Sequence, residues 1–281
     1  MSVPVGVRVD EPRTLAPFGR RLARVTLNDA VGAYRVVTVE DVGGPAEPRP
    51  GQFYMLAAER DWGGHDGRPY LPRAFSFCRS APLGREDGAS LSFLLDEVGP
   101  GTRRLAALEA DEDVWLTGPL GVGFRRSSGP ALLVGGGIGV APILCLHDEL
   151  RASGARALLG FRSAAHAQAA RLFSSATVAT DDGSAGRHAL VTELLREQLD
   201  AEASATVYAC GPPVMLEAVR ALCGERGVPA QLALESGMAC GFGACFGCVV
   251  ATRDGYLRLC VDGPVLDAAI LGASLDIGAG H

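Results

Sequence analysis

Near its C-terminal end the chain reads MACGFGACFGCVV and, a few residues on, RLC, which sets Cys240, Cys245, Cys248 and Cys260 at the spacing C-x4-C-x2-C-x11-C. No other feature restricts the fold as much. The first three intervals are those of a plant-type 2Fe-2S loop. Three thiolates on one short loop must converge on a compact sulfide-bridged core, and a loop wrapped that closely leaves no room for side chains facing inward. Gly241, Gly243 and Gly247 permit the wrapping, and their N–H groups are placed to donate to sulfur and tune the potential. The alternative is a structural four-Cys zinc site. Zinc prefers paired C-x2-C knuckles, so the x4 interval suits it poorly, and a disulfide framework fits less well still.

The rest of the chain has to carry this loop on a folded body. Its 281 residues are 48% hydrophobic with a mean hydropathy of +0.18, enough for an ample core and, at about 150 residues per domain, for about two domains. Acidic residues outnumber basic ones by 32 to 26, a net charge of −6, which argues against nucleic acid as a main partner. All 26 of those basic residues are Arg, so chemistry built on a Lys Schiff base or a P-loop Lys is excluded. The longest nearly uncharged apolar stretch, residues 131–146, falls short of the ~18–20 residues of a spanning helix. The N-terminus, MSVPVGVRVDEPRT, has acids and prolines where a signal peptide has its apolar core. A cytoplasmic protein with no membrane contact is expected, and there the scattered Cys78, Cys145, Cys210 and Cys223 read as core residues rather than disulfides.

Patterning divides the chain near Gly129-Pro130. Before that point come short β-branched or alternating runs at 23–27, 34–39, 52–57, 75–78, 91–95 and 113–117, separated by Gly/Pro/Asp turns as in an antiparallel barrel, with one helix at 102–108. After it, strands at 131–134, 156–161, 176–180, 206–209 and 230–234 alternate with helical patterns at 140–152, 165–171, 190–199 and 213–226. That alternation predicts a doubly wound parallel sheet. The expected division is a tail at 1–14, a β-barrel at 15–128, an α/β domain at 129–235, the Cys-rich subdomain at 236–263 and a tail at 264–281. The Gly- and Cys-rich stretch has little periodicity, so metal ligation rather than a core is expected to hold it.

Two further motifs carry chemistry. ALLVGGGIGVAPIL is a strand running into a Gly-rich turn and a helix; Gly136, Gly137 and Gly139 let the backbone approach a pyrophosphate at which the helix N–H groups point. Such a turn alone is weak evidence, since plain βα turns share it. Cys210, Gly211 and Pro212 end a second strand over the same crevice. In the barrel, Arg73-Ala74-Phe75-Ser76 offers an Arg able to clamp a diphosphate and a hydroxyl able to bond a flavin ring, although by itself RAFS also reads as a surface Arg beside a core Phe. The five histidines are dispersed and read as surface or loop residues, and no acid/base couple stands out.

In combination these motifs resemble the ferredoxin-NADP reductase superfamily, and within it the electron-transfer subunits of class B, NAD-linked dihydroorotate dehydrogenase. PGQF, RAFSF, GPGT, GPLGVGF, GGGIGVAP, TDDGS, YACGPP and MACGFGACFGCVV…LCVDGP stand in that family's order over residues 20–267. The resemblance implies FAD held by Arg73, Ala74, Phe75 and Ser76, by Leu94, Leu95 and Asp96, and by Gly101 and Thr102 at the diphosphate, with the four cysteines as cluster ligands. It implies NAD(H) as the nucleotide, with Arg162-Ser163 near enough to a 2′-phosphate to leave NADPH open. It also implies an FMN-containing catalytic subunit as partner, two copies of each chain per complex, and a relay from dihydroorotate to NAD⁺ in pyrimidine synthesis. Siblings using the same module, a ferredoxin:NADP transhydrogenase or a sulfide dehydrogenase, are the alternative. A zinc-stapled binding protein without redox function is the reading from another class, and it would be colourless.

Overall fold

A computed structural model describes residues 19–63, 68–84, 88–202 and 204–272. The expected N-terminal tail, His65 and His281 lie outside the described residues. Strands β1 (Arg21–Val31), β2 (Tyr34–Asp41), β3 (Phe53–Ala58), β4 (Arg73–Pro82), β5 (Ala89–Leu95) and β6 (Asp113–Leu120) close an antiparallel barrel in the order β1-β2-β5-β4-β3-β6. β3 shows why its sequence, FYMLAA, is apolar throughout: Tyr54, Leu56 and Ala58 fill the barrel, while Phe53 and Met55 face outward into the core of the second domain. Helix α1 (Pro100–Ala106) follows β5, two residues ahead of its expected start, with Pro at its first position and the N–H groups of Val98 and Gly99 donating to Thr102 Oγ1 at 2.9 Å.

The second domain is a seven-stranded sheet. Strands β7 (Ala131–Gly136), β8 (Arg156–Phe161), β9 (Thr177–Thr180), β10 (Arg187–His188), β11 (Thr206–Cys210) and β12 (Ala230–Ala233) are parallel, in the order β10-β9-β8-β7-β11-β12. Helices α2 (Val140–Glu149), α3 (Ala164–Ala167), α4 (Val191–Ala201) and α5 (Pro213–Arg226) cross between them. The helix expected at 165–171 is a single α-turn continued by a 3-10 segment, and α2 stops at Glu149 before a separate 3-10 turn.

Two expectations for the C-terminal end are corrected. The residues read as a tail from 264 begin with a strand, β15 (Val265–Asp267), which pairs antiparallel with β12 as the last strand of the sheet. Three residues are too few to show a period. The Cys-rich stretch carries a hairpin, β13 (Val249–Thr252) and β14 (Gly255–Arg258), and a short helix, α6 (Leu259–Asp262). It does have a core: Cys248, Val250, Leu259, Cys260 and Leu271 are buried in one cluster with Leu232 and Leu266 of the sheet. Metal ligation is therefore added to packing rather than substituted for it.

Besides the packing of Phe53 and Met55, polar contacts among the described residues fasten barrel to sheet. Arg79 of β4 donates to Asp148 of α2 at 2.9 Å and to the Leu172 carbonyl. At the β1–β2 turn the Ala33 N–H donates to the Ala165 carbonyl at 3.0 Å, and Tyr34 meets His166 edge-on at 5.4 Å.

Candidate functional site

A cavity opens where the barrel meets the sheet. Of the residues that the resemblance assigns to FAD, Ala74, Phe75, Ser76, Leu94, Asp96 and Thr102 line it. Ile138, Ala141 and Pro142 form the facing wall, at the turn after β7, and Glu235, Ser236 and Met238 the floor. Leu95 is absent from the lining: it is 1% exposed inside the barrel core, because strand alternation sends Leu94 and Leu95 to opposite faces. Arg73 and Gly101 sit beyond the lining, against each other: a Cβ on Gly101 would lie 2.8 Å from Arg73 Nε.

A second cavity of about 440 Å³ lies over the C-terminal ends of the sheet strands. Gly136, Gly137 and Pro212 line it, as do Arg162 at the end of β8 and Asp181 just past β9. Gly139, Cys210 and Gly211 do not. Gly139 packs on the other two: its Cβ would stand 2.6 Å from the Cys210 carbonyl and from Gly211 Cα, so these three hold the turn against β11 rather than lining the space. His166, read from sequence as a bland surface residue, also faces this cavity. Arg162 Nε donates to its Nε2 at 2.7 Å, and burial together with the Arg162 charge lowers its pKa. The two cavities share walls, since Asp96 and Ile138 line both.

Glu235 escaped the sequence reading altogether. It directly follows the buried run Leu232-Ala233-Leu234 and opens onto the first cavity, with Cys210 Sγ 4.0 Å from its Oε1. Burial among surrounding protein atoms raises the pKa of its carboxyl. Burial, with Glu235 nearby, pushes the Cys210 thiol well up, so Cys210 is a neutral thiol rather than a nucleophile. A lone carboxylate after a strand is the only trace of this pair in the sequence.

The first cavity runs into the cysteine loop, because Met238 lines the cavity and Cys240 follows two residues later. Gly241 and Gly243 have φ of +79° and +87°, conformations that L side chains rarely adopt. A Cβ on Gly241 would also press on Met55, at 2.7 Å. Among the described residues no three ligand-type side chains are already gathered round one point. The loop holds its thiols in two neighbouring pairs, Cys240 with Cys245 and Cys248 with Cys260. Burial opposes ionisation of Cys240, yet the N–H groups of Cys245 and Phe242 and the Cys245 thiol bring its pKa down to about 6. The N–H of Gly247 donates to Cys245 Sγ at 3.5 Å and that of Cys260 to Cys248 Sγ at 3.4 Å. N–H donors aimed at sulfur, on a loop turned by glycines, fit a thiolate-ligated iron–sulfur cluster.

A family model described as the iron-sulfur cluster binding domain of dihydroorotate dehydrogenase B matches residues 235–272. Among solved structures, that of an NADH-dependent reduced ferredoxin-NADP oxidoreductase aligns with a TM-score of 0.73 over 91% of each chain at 23% identity. The ferredoxin reductase of carbazole 1,9a-dioxygenase aligns with 0.60 over 75% of this chain and 66% of that one at 24% identity. Both show the shared fold. Dihydroorotate dehydrogenase B (NAD(+)) electron transfer subunits from Clostridium acetobutylicum and Listeria monocytogenes are 35% and 36% identical over 83% of this chain, and cover 92% and 90% of their own lengths. With cavities and cysteine loop joined in the order that the sequence motifs require, and relatives matched across nearly their whole length, the chain belongs to the family of dihydroorotate dehydrogenase B electron transfer subunits.

Proposed function

We propose that this chain, with FAD, a 2Fe-2S cluster and NAD(H) as its cofactors, passes electrons between an FMN-containing dihydroorotate dehydrogenase catalytic subunit and NAD⁺ in pyrimidine synthesis, in the cytoplasm. The observation that carries this reading is contiguity. Asp96 and Ile138 belong to both cavities, and the floor of the first becomes the cysteine loop within two residues. A flavin supplies the conversion between the electron pair of a nicotinamide hydride and the single electrons that an iron–sulfur cluster carries.

The chain's own residues have distinct tasks. Ser76 and the β4 backbone hold the ring, and Arg73 and Thr102 hold the diphosphate. Gly136 and Gly137 receive the nucleotide's pyrophosphate, and Arg162, steadied by His166, reaches its ribose end. Cys240, Cys245, Cys248 and Cys260 ligate the iron. No helix among the described residues is long and apolar enough to cross a membrane.

Arg73→Ala is expected to weaken FAD retention by about 2–4 kcal/mol, the loss of a charged partner from a phosphate, with iron content unchanged. Flavin occupancy after gel filtration measures it, and full occupancy would make Arg73 a surface residue.

The partner's docking surface is read at the loop. Phe242 and Phe246 are 64% and 63% exposed, and Arg258 stacks on the Phe246 ring at 5.3 Å. The complex is proposed to hold two copies of each subunit. Phe246→Asp is expected to keep the cluster, since φ at this position is +57°, which Asp tolerates better than Phe. Association with the catalytic subunit should fall, because that charge would be buried at the contact. Normal co-purification would place docking elsewhere. The chain alone is expected to reduce an artificial dye with NADH and to leave dihydroorotate unoxidised, and dihydroorotate oxidation by the isolated chain would overturn the two-subunit reading.

A further inference from the structure

Arg73 forms no ion pair with a carboxylate among the described residues, and its one hydrogen bond there is from Nη1 to the Leu71 carbonyl, at 2.5 Å. A guanidinium carries five N–H donors, so most of them are unspent. The group is nevertheless held at two places, in space that a glycine leaves open: a Cβ on Gly101 would lie 2.8 Å from Nε. The Leu71 carbonyl fixes one end. The other contact is an aromatic face, with Arg73 Cζ 5.8 Å from the ring centre of Trp62.

Trp62 is itself pinned. Its indole N–H donates to the Tyr70 carbonyl at 3.2 Å, and its ring packs against the barrel core from the outside. The Gly63 N–H donates to the Pro69 carbonyl at 2.7 Å, which ties the two ends of the same loop together. An indole face attracts a guanidinium through its quadrupole and, being planar, also fixes the tilt of the fork.

We propose that Trp62 is a positioning residue: it holds the Arg73 guanidinium flat at the rim of the first cavity, with its remaining donors free for the diphosphate of FAD. This rests on the reading of Arg73 as the diphosphate partner. Trp62 touches no phosphate. It lowers the ordering cost of Arg73, which a flexible Arg side chain would otherwise meet on binding.

The test is FAD affinity of the full-length chain, measured by flavin fluorescence on reconstitution, for Trp62→Leu, Trp62→Phe, Arg73→Ala and the double variant Trp62→Leu/Arg73→Ala. Leu keeps the apolar contact with the barrel but lacks the aromatic face, and should weaken FAD about fivefold, as expected for a partly exposed cation–π contact. Phe restores most of the affinity. Riboflavin, which has no phosphate, should bind the Leu variant as it binds the parent. In the double variant the Leu substitution should add nothing to the loss from Arg73→Ala, because its only route to the cofactor is gone. Unchanged FAD affinity in Trp62→Leu, additive losses in the double variant, or an equal loss for riboflavin would each overturn the proposal. If Arg73→Ala itself leaves FAD affinity intact, the reading of Arg73 fails, and the proposal fails with it.

Discussion

Replacing Cys245 with serine is expected to leave a purified protein that is yellow rather than brown, with FAD bound and iron reduced to a small fraction per chain. Of the four proposed ligands, Cys245 isolates this effect most cleanly. It is exposed, whereas Cys248 and Cys260 are 2% exposed in the shared core and would disturb packing as well. Serine fits the space and can still accept from the Gly247 N–H, so what disappears is a soft thiolate, and a hydroxyl that stays protonated near neutrality is a poor replacement. Iron analysis and the visible spectrum are the measurements. Iron content equal to the parent's would remove Cys245 from the ligand set. A colourless parent containing zinc would favour the stapled, non-redox protein instead.

Gly139→Ala should have the second-largest effect, although it adds one methyl group. The new Cβ would meet backbone rather than a flexible side chain, at 2.6 Å from the Cys210 carbonyl and from Gly211 Cα, so the turn after β7 and the end of β11 must move apart. Overpacking against backbone costs on the order of 2–4 kcal/mol. A fall in Tm of several degrees is expected, with a rise in KM for NADH in dye reduction. For stability alone, Gly137→Ala is the control, since Gly137 itself lines the nucleotide cavity. Its Cβ would meet no protein atom within 4 Å, and only the positive φ of +54° opposes it, a strain of about 1 kcal/mol. Equal falls in Tm in the two variants would show that the turn yields and that close approach is not what Gly139 provides.

The parts of the molecule legible in its sequence are those in which a short segment fixes its own geometry. Three cysteines on one loop with a fourth beyond a hairpin, and glycines between a strand and a helix, state their chemistry in short segments. The barrel strands were legible as strands, and in β5 the facing was legible too: Ser90 and Ser92 alternate with Leu91 and Phe93, a period that continues to put Leu95 in the barrel core and Leu94 on the opposite face, although the apolar end Phe93-Leu94-Leu95 hides it. Glu235 and Cys210, 25 positions apart, become neighbours only because β11 and β12 lie side by side. Asp96 and His166 likewise gain meaning from the meeting of two domains, which no local pattern records.

The fastenings between barrel and sheet bear on how a nucleotide exchanges. Arg79 joins β4 to α2 and to the Leu172 carbonyl, while the β1–β2 turn is tied to α3 through Ala33 and Tyr34. A chain with one such tie could swing like a jaw. With ties at several separate places, and Phe53 and Met55 packed in the core of the second domain, opening would have to break them together, so the walls built from Asp96 and Ile138 are expected to keep their spacing whether or not a ligand is present. Exchange would then proceed by entry and exit through the open side of a standing slot, with the distance over which a hydride must pass set when the chain folds.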